Sequence, residues 1–421
     1  MLQPVDVGCQ SLDAYVATIG DGVIDKVREV ARSLAGARVL HVSATPYGGG
    51  VAEILRSAIP LLRGLGVHAD WRLITGDPAF FSVTKRVHNA LQGMPIELSG
   101  AERETYLAYS ARNAVLLDDD YDLVMLHDPQ PLAVPSLAPD SHSRWVWRCH
   151  IDTSEPDPSV YEFLRPFFEP YDIAVFTLPE FVPPGFPVRN VKIIPPAIDP
   201  ESPKNIGLPD HLARRVVEWI GVESDTPLIT QISRFDPWKD PLGVIAVHRL
   251  VQEEIPDVQL VLAGSMALDD PEGWDMYRQI EEVSRTDPSV HLFTNLTGVG
   301  NIEVNALQRR STVVIQKSIR EGFGLVVSEA LWKNTPVIAG RSGGIPLQLD
   351  DGASGYLIDS TEECAARTVE LIKDPERRAA FGAAGHAHVR ERFLLPRLIL
   401  DELRLYAELL DPPGAGSPSR A

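Results

Sequence analysis

The sequence predicts an α/β fold made of two doubly wound parallel-sheet domains in series. Three observations carry this expectation. Short apolar runs rich in Val, Ile and Leu alternate with helical patterns along the chain. The alternation breaks at a proline-rich stretch, Pro195-Pro196-Ala197-Ile198-Asp199-Pro200, and then restarts. The chain has 421 residues, more than the ~250–300 at which one hydrophobic core stops growing.

Residues 11–36 read as an amphipathic helical lead-in. Residues 37–44 read as a strand, which ends in Thr45-Pro46-Tyr47-Gly48-Gly49-Gly50 before a helix begins near Val51. A strand, a glycine turn and a helix are the parts of a phosphate-cradling unit, and a tight turn without a ligand is the ordinary alternative. Further strands are expected at 69–74, 123–126, 145–149, 173–176 and 191–194. Ligands of such sheets bind beyond the carboxyl ends of strands. Two of these ends carry polar groups, His127-Asp128-Pro129 and His150-Ile151-Asp152. A single histidine there is often only hydrogen-bonded structure, but two His/Asp pairs at neighbouring strand ends mark a candidate site. Asp118-Asp119-Asp120, just before a strand, reads as a solvated loop and not as a metal site.

After the proline-rich linker a strand at 228–232 ends in Ser233-Arg234-Phe235-Asp236-Pro237-Trp238-Lys239-Asp240. A guanidinium and an ammonium on one short loop beyond a strand suit a diphosphate, the first bidentately and the second as a point charge. Ion pairs with Asp236 or Asp240 are the alternative. Strands at 258–264, 290–293, 312–316, 336–340 and 355–358 complete the second sheet. The domains are thus expected at 1–200 and 201–394, with a final helix over 395–411 packing back on the first domain and a disordered, Pro/Gly/Ser-rich tail at 412–421.

The stretch Glu321-Gly322-Phe323-Gly324-Leu325-Val326-Val327-Ser328-Glu329 organises the second half. Glu321 falls on a loop after a buried strand, two glycines let the backbone turn, and Glu329 is expected early on a helix. Amides at a helix start favour anions, and carboxylates accept hydrogen bonds from hydroxyls. A sugar beside a phosphate meets both requirements.

Composition excludes several classes. The net charge of −19 argues against nucleic acid and anionic membranes as partners. No apolar run approaches the roughly 20 residues that span a bilayer, and Met1-Leu2-Gln3-Pro4-Val5-Asp6 shows no secretory pattern. Three scattered cysteines, Cys9, Cys149 and Cys364, fit reduced thiols in a cytoplasmic protein.

Taken together, the glycine turn 45–50, the Arg234/Lys239 loop and the Glu321–Glu329 motif resemble retaining glycosyltransferases of the GT-B fold, family 4. Phe80-Phe81, Val83-Thr84-Lys85, His88-Asn89, Leu91-Gln92-Gly93, His127-Asp128-Pro129-Gln130-Pro131 and Trp147-Arg148-Cys149-His150-Ile151-Asp152 are similar to its trehalose-forming subgroup. The resemblance spans nearly the whole chain. It implies two Rossmann-like halves facing a central cleft, the first taking the acceptor and the second the nucleotide-sugar donor. It implies transfer of glucose from ADP-, UDP- or GDP-glucose to free glucose, giving α,α-trehalose. By position, Gly49 and Gly50 approach the donor phosphate, Arg234 and Lys239 hold the diphosphate, Glu321 hydrogen-bonds the donor glucose, and Gly322, Phe323, Gly324 and Leu325 belong to the donor site. Glu329 takes the ribose hydroxyls. His150 contacts the transferred sugar, and Asp128 and Asp152 the acceptor. No metal or other cofactor is implied, and a homodimer is compatible with base rates while the sequence itself does not give the oligomeric state.

Three other readings remain open. A phosphorylase uses the same cations for inorganic phosphate but has no ribose for Glu329, and related phosphorylases are longer chains. A retaining glycosidase needs its carboxyls about 5–5.5 Å apart, which a loop-to-helix junction does not arrange for Glu321 and Glu329. A sugar-nucleotide-binding regulator has no use for the retained Arg234, Lys239, His150 and Glu321.

Overall fold

A computed structural model of the chain describes residues 1–117, 120–138, 141–266 and 271–410. The expectations for Asp118-Asp119 and for 411–421 lie outside these residues. The chain divides into two compact units. Unit 1 is Met1–Pro196 with the helix Leu395–Leu410, and unit 2 is Ala197–Leu394.

The strands of unit 1 are β1 (Gln3–Pro4), β2 (Arg38–Ser43), β3 (His68–Leu73), β4 (Leu123–His127), β5 (Arg144–Arg148), β6 (Ile173–Phe176) and β7 (Val191–Ile193). They form one sheet in the order β1-β3-β2-β4-β5-β6-β7. All pairings are parallel except that of β1 with β3. Six of these strands lie within a residue or two of their expected positions. The exception is β1, two residues at the sheet edge ending in Pro4, where a missing amide breaks no ladder. It carries no alternation that a sequence reading could detect. The helical lead-in is broken: Gly20, at φ +79°, separates two short turns from the helix Asp21–Ser33.

The strands of unit 2 are β8 (Leu228–Ile232), β9 (Gln259–Gly264), β10 (Val290–Thr294), β11 (Val313–Gln316), β12 (Val337–Gly340) and β13 (Gly355–Ile358). Their order is β10-β9-β8-β11-β12-β13, parallel throughout. Near-continuous apolar strands such as Val313-Val314-Ile315 suit a sheet covered on both faces. Two apolar clusters meet that demand, one around Val244, Leu260, Ile315 and Ile338 and one around Ala213, Val261, Ala306 and Leu307.

Both sheets reverse their winding once, unit 1 between β2 and β4 and unit 2 between β8 and β11. The chain leaves such a pair in opposite directions, so a crevice opens beyond the strand ends. The ends of these four strands and the loops that follow them carry Gly48–Gly50, His127-Asp128, Arg234-Lys239 and Glu321.

The helix Leu395–Leu410 packs on the helices Asp21–Ser33 and Gly50–Gly64. Arg397 anchors its start by donating to the Pro195 and Pro196 carbonyls, each at 2.8 Å. No described helix is long and apolar enough to cross a membrane. Leu403 on this helix is fully buried, so Leu403→Ala is expected to cost about 2–5 kcal/mol in urea denaturation. An unchanged midpoint would contradict the packing.

Candidate active site

In unit 2 the chemistry gathers where β8 and β11 end side by side. The loop after β8 is held in shape locally. Asp236 accepts from the Trp238 amide at 2.9 Å, and Gln231 donates to the Lys239 carbonyl at 2.7 Å. The Ile319 amide, on the loop after β11, donates to the Trp238 carbonyl at 2.8 Å and joins the two loops. Lys239 then meets Glu321, Nζ to Oε2 at 2.7 Å. The same oxygen accepts from Ser318 at 3.0 Å and from Gln316 at 3.4 Å. Among the described residues Oε1 of Glu321 takes no hydrogen bond. One carboxylate oxygen is therefore spent on positioning and the other is open to a donor.

The two cations differ in their ion pairs. Arg234 does lie near Asp236, at 3.5 Å, with its side chain well exposed. Lys239 does not pair with Asp240, whose carboxylate is taken by Lys317. An ammonium has three N–H donors, so Lys239 can bond Glu321 and still face an anion.

The turn Gly322–Gly324 needs its glycines. Gly324 has φ +83° and precedes the helix Leu325–Trp332. Across from it, Gly344 donates to the Gly322 carbonyl at 3.2 Å. Gly343 has φ +52°, and a Cβ there would lie 1.5 Å from the Glu321 carbonyl oxygen. Gln348 donates to the Phe323 carbonyl and accepts from the Ser328 amide. Sequence reading missed Gly343 and Ser318. Gly343-Gly344 after a strand was the available signal for the first; a lone serine offers none.

Glu329 corrects an expectation. It is not early on its helix but in the second turn of Leu325–Trp332, and it is 1% exposed. It pairs with Lys204 at 3.0 Å and accepts from Gln308 at 3.3 Å. The helix begins earlier than expected because Gly324 itself terminates the preceding turn. Lys204 follows the proline-rich stretch by a few residues, where nothing in the sequence marks a lysine as a partner for a carboxylate far along the chain.

In unit 1 the glycine turn after β2 has Gly48 at φ +83° and Gly49 extended, with Gly50 opening the helix Gly50–Gly64. Thr45 bonds the Tyr47 amide and carbonyl, and Arg56 holds the Pro46 carbonyl at 3.0 and 3.2 Å. Among the described residues no side chain caps this helix, which leaves its first amides available to an anion.

At the ends of β4 and β5, Asp128 occupies the left-handed region at φ +64° and accepts from the His150 amide at 2.8 Å. Its own amide donates to the Arg148 carbonyl at 2.9 Å. Burial pushes the Asp128 carboxyl up to about 7. Asp152 accepts from the Ser154 amide and hydroxyl at 3.0 and 2.6 Å. Each acid thus shapes its own strand end, alongside the acceptor contact expected of it. His150 continues into a histidine row. His127 Nδ1 lies 2.9 Å from His150 Nε2, and His41 Nδ1 lies 3.0 Å from His127 Nε2. Burial lowers all three, His41 to about 3, so the row is neutral. The sequence reading passed over His41, although a histidine inside an apolar strand was a visible anomaly.

With this geometry in view, two family models match the chain. One, described as trehalose synthase, N-terminal domain, covers residues 41–183, and one, described as glycosyl transferases group 1, covers residues 218–388. A trehalose synthase of Rubrobacter xylanophilus is 50% identical over 415 residues, 97% of this chain and 100% of the relative. One of Pyrococcus horikoshii is 43% identical over 409 residues, 97% of each. Among solved structures, a trehalose-6-phosphate synthase superposes with TM-score 0.72 at 15% identity, covering 89% of this chain and 99% of that one. At that identity the likeness speaks for the GT-B fold alone.

Gly343→Ala is expected to lose at least about 1–2 kcal/mol of stability, from the left-handed backbone alone, and to fall further through the clash; a variant as stable as the parent in urea would refute the close approach. Asp128 gives a signed pH effect. Its folded pKa of about 7 lies above the unfolded value, so the folded state holds the extra proton and stability falls as pH rises from about 4 to about 7. Asparagine tolerates the left-handed backbone, so Asp128→Asn should gain on the parent across that window, by at most about 1.4 kcal/mol per pH unit. The comparison removes the opposing effect of the buried histidines, and a constant gap would contradict the raised carboxyl.

Proposed function

Because the chain belongs to the trehalose synthase family of glycosyl transferases, we propose that it moves glucose from a nucleoside diphosphate glucose to free glucose. The product is α,α-trehalose, with the anomeric configuration of the donor retained. The observation that carries this reading is the join between Lys239 and Glu321 at the switch point of unit 2, with Arg234 on the same loop.

In this reading Arg234 and the two remaining Lys239 protons take the diphosphate. The open oxygen of Glu321 takes a hydroxyl of the donor glucose. The Gly50 helix start offers amides to the phosphates, and His150 contacts the transferred sugar. As the bond from glucose C1 to the diphosphate oxygen breaks, negative charge grows on the leaving group. Fixed cations and amides aimed at that charge lower the barrier. The acceptor hydroxyl forms its bond to C1 on the face that the diphosphate leaves, and a phosphate oxygen takes its proton. No side chain has to serve as nucleophile, and no metal has to neutralise the diphosphate.

A ribose contact at Glu329 requires the nucleotide to share this carboxylate with Lys204. Glu329→Ala would take one partner from Lys204 and leave the buried Gln308 amide without its acceptor whichever substrate is used, so this variant does not separate a transferase from a phosphorylase. Substrate choice does.

Product analysis with ADP-, UDP- and GDP-glucose, each with free glucose, is expected to yield trehalose and nucleoside diphosphate from at least one donor. Glucose 1-phosphate from trehalose and inorganic phosphate, with no nucleotide product, would overturn the proposal. Lys239→Ala should lower kcat about 10²–10³-fold while the protein stays folded. Turnover should survive excess chelator; activity abolished by chelation and restored by magnesium would refute the metal-free reading.

A further inference from the structure

The histidine row does more than end at His150; it begins on the last helix. Register explains its path. His41 on β2 pairs with Met125 on β4, and His127 lies two residues further on. His127 pairs with Arg148 on β5, and His150 again lies two residues beyond. Side chains alternate faces along a strand, so His41, His127 and Arg148 share one face. The other face carries Leu40, Val42, Leu126 and Trp147 into the apolar core. Against the histidine side, the helix Leu395–Leu410 presents Glu402 and Tyr406, one turn apart.

The contacts are continuous. Tyr406 Oη lies 3.1 Å from His41 Nε2 and 3.5 Å from Glu402 Oε2. Glu402 Oε1 lies 3.6 Å from Arg148 Nη1, with both side chains buried. A neutral imidazole has one N–H and one bare nitrogen. Three of them joined nitrogen to nitrogen must all point the same way.

Arg148 sets the direction. Its guanidinium is 2% exposed and does not deprotonate. Among the described residues, the carboxylate within ion-pair distance of it is that of Glu402. Burial pushes the Glu402 carboxyl up and Arg148 opposes this; a protonated Glu402 would leave a cation alone in the interior, the costlier arrangement. An ionised Glu402 only accepts, so Tyr406 donates to it. The Tyr406 oxygen then accepts from His41 Nε2–H, His41 Nδ1 from His127 Nε2–H, and His127 Nδ1 from His150 Nε2–H.

We infer that the chain Glu402–Tyr406–His41–His127 fixes His150 as the Nε2–H tautomer, leaving a bare Nδ1 that accepts a hydrogen bond from a substrate hydroxyl. Tyr406, His41 and His127 are then positioning residues. Nδ1 of His150 has no partner among the described residues. A bare nitrogen there welcomes a hydroxyl and repels a phosphate or carboxylate oxygen, so the group that meets His150 is an unphosphorylated sugar position. This deepens the proposed function and rests on its assignment of His150 to the sugar.

The test uses the full chain with ¹⁵N-labelled histidine. Long-range ¹H–¹⁵N spectra report which ring nitrogen carries the proton. The parent protein should show Nε2–H at His41, His127 and His150. Tyr406→Phe removes the acceptor for His41 and should leave the row without a fixed direction, with both tautomers at His150. Its kcat/KM for the sugar donor should fall about fivefold, the worth of one neutral hydrogen bond, with an unchanged far-ultraviolet spectrum. Nδ1–H at His150 in the parent overturns the inference, and this reading stands even if the variant does not fold. A single unchanged tautomer in folded Tyr406→Phe overturns the positioning role. Trehalose formed by a protein with Nδ1–H at His150 sinks this inference alone. The expected tautomers in a protein that makes no trehalose sink the proposed function and leave the relay in place.

Discussion

The contact between Lys239 and Glu321 is the constraint on which the rest of unit 2 depends. An ammonium and a carboxylate on loops 82 residues apart in sequence meet at 2.7 Å. Parallel pairing of β8 with β11 brings their loops together, and backbone bonds from the Ile319 and Gly344 amides set the separation. The sheet reversal matters because it is the place where two loops diverge and leave room beyond the strands. Serine, glutamine and lysine all converge on one oxygen of Glu321. A carboxylate so held cannot swing, and its second oxygen offers a fixed direction to a hydroxyl. Preorganisation of this kind is what makes polar groups effective against developing charge.

Unit 1 solves a different problem. It buries three imidazoles, a tyrosine, a glutamate and an arginine on the face of a sheet whose other face is apolar. Most members of this cluster bond one another, while Arg148 keeps Nε and Nη1 without a hydrogen bond among the described residues and meets Glu402 as an ion pair. Here the two-residue step between neighbouring strands provides the spacing, and the returning helix provides the terminus. The left-handed backbone of Asp128 serves the same cluster, because it turns the chain at the end of β4 and lets its carboxylate cap His150.

Much of this was legible in the sequence. Alternating apolar runs located both sheets, and Glu321, Arg234 and Lys239 were singled out because they fall on loops just beyond strand ends, where such sheets bind ligands, although an ion-pair role was a nearly equal alternative for the two cations. What stayed hidden depended on pairing across distance. Lys204 against Glu329, Tyr406 against His41 and Gly343 against the Glu321 carbonyl are contacts that no local pattern encodes. Glu329 shows the limit from the other side. Its spacing from Glu321 was readable, but its depth in the helix depended on Gly324 adopting a positive φ, a choice that tertiary packing makes.

The returning helix also bears on how the protein is made. Unit 2 is contiguous, Ala197–Leu394, whereas unit 1 closes only when Leu395–Leu410 is present. During synthesis all of unit 2 is made before the helix that completes unit 1, so the sheet face bearing His41 is covered by its own helix only at the end. The amino-terminal unit is the last to be completed, in contrast to the usual domain-by-domain order from the amino end.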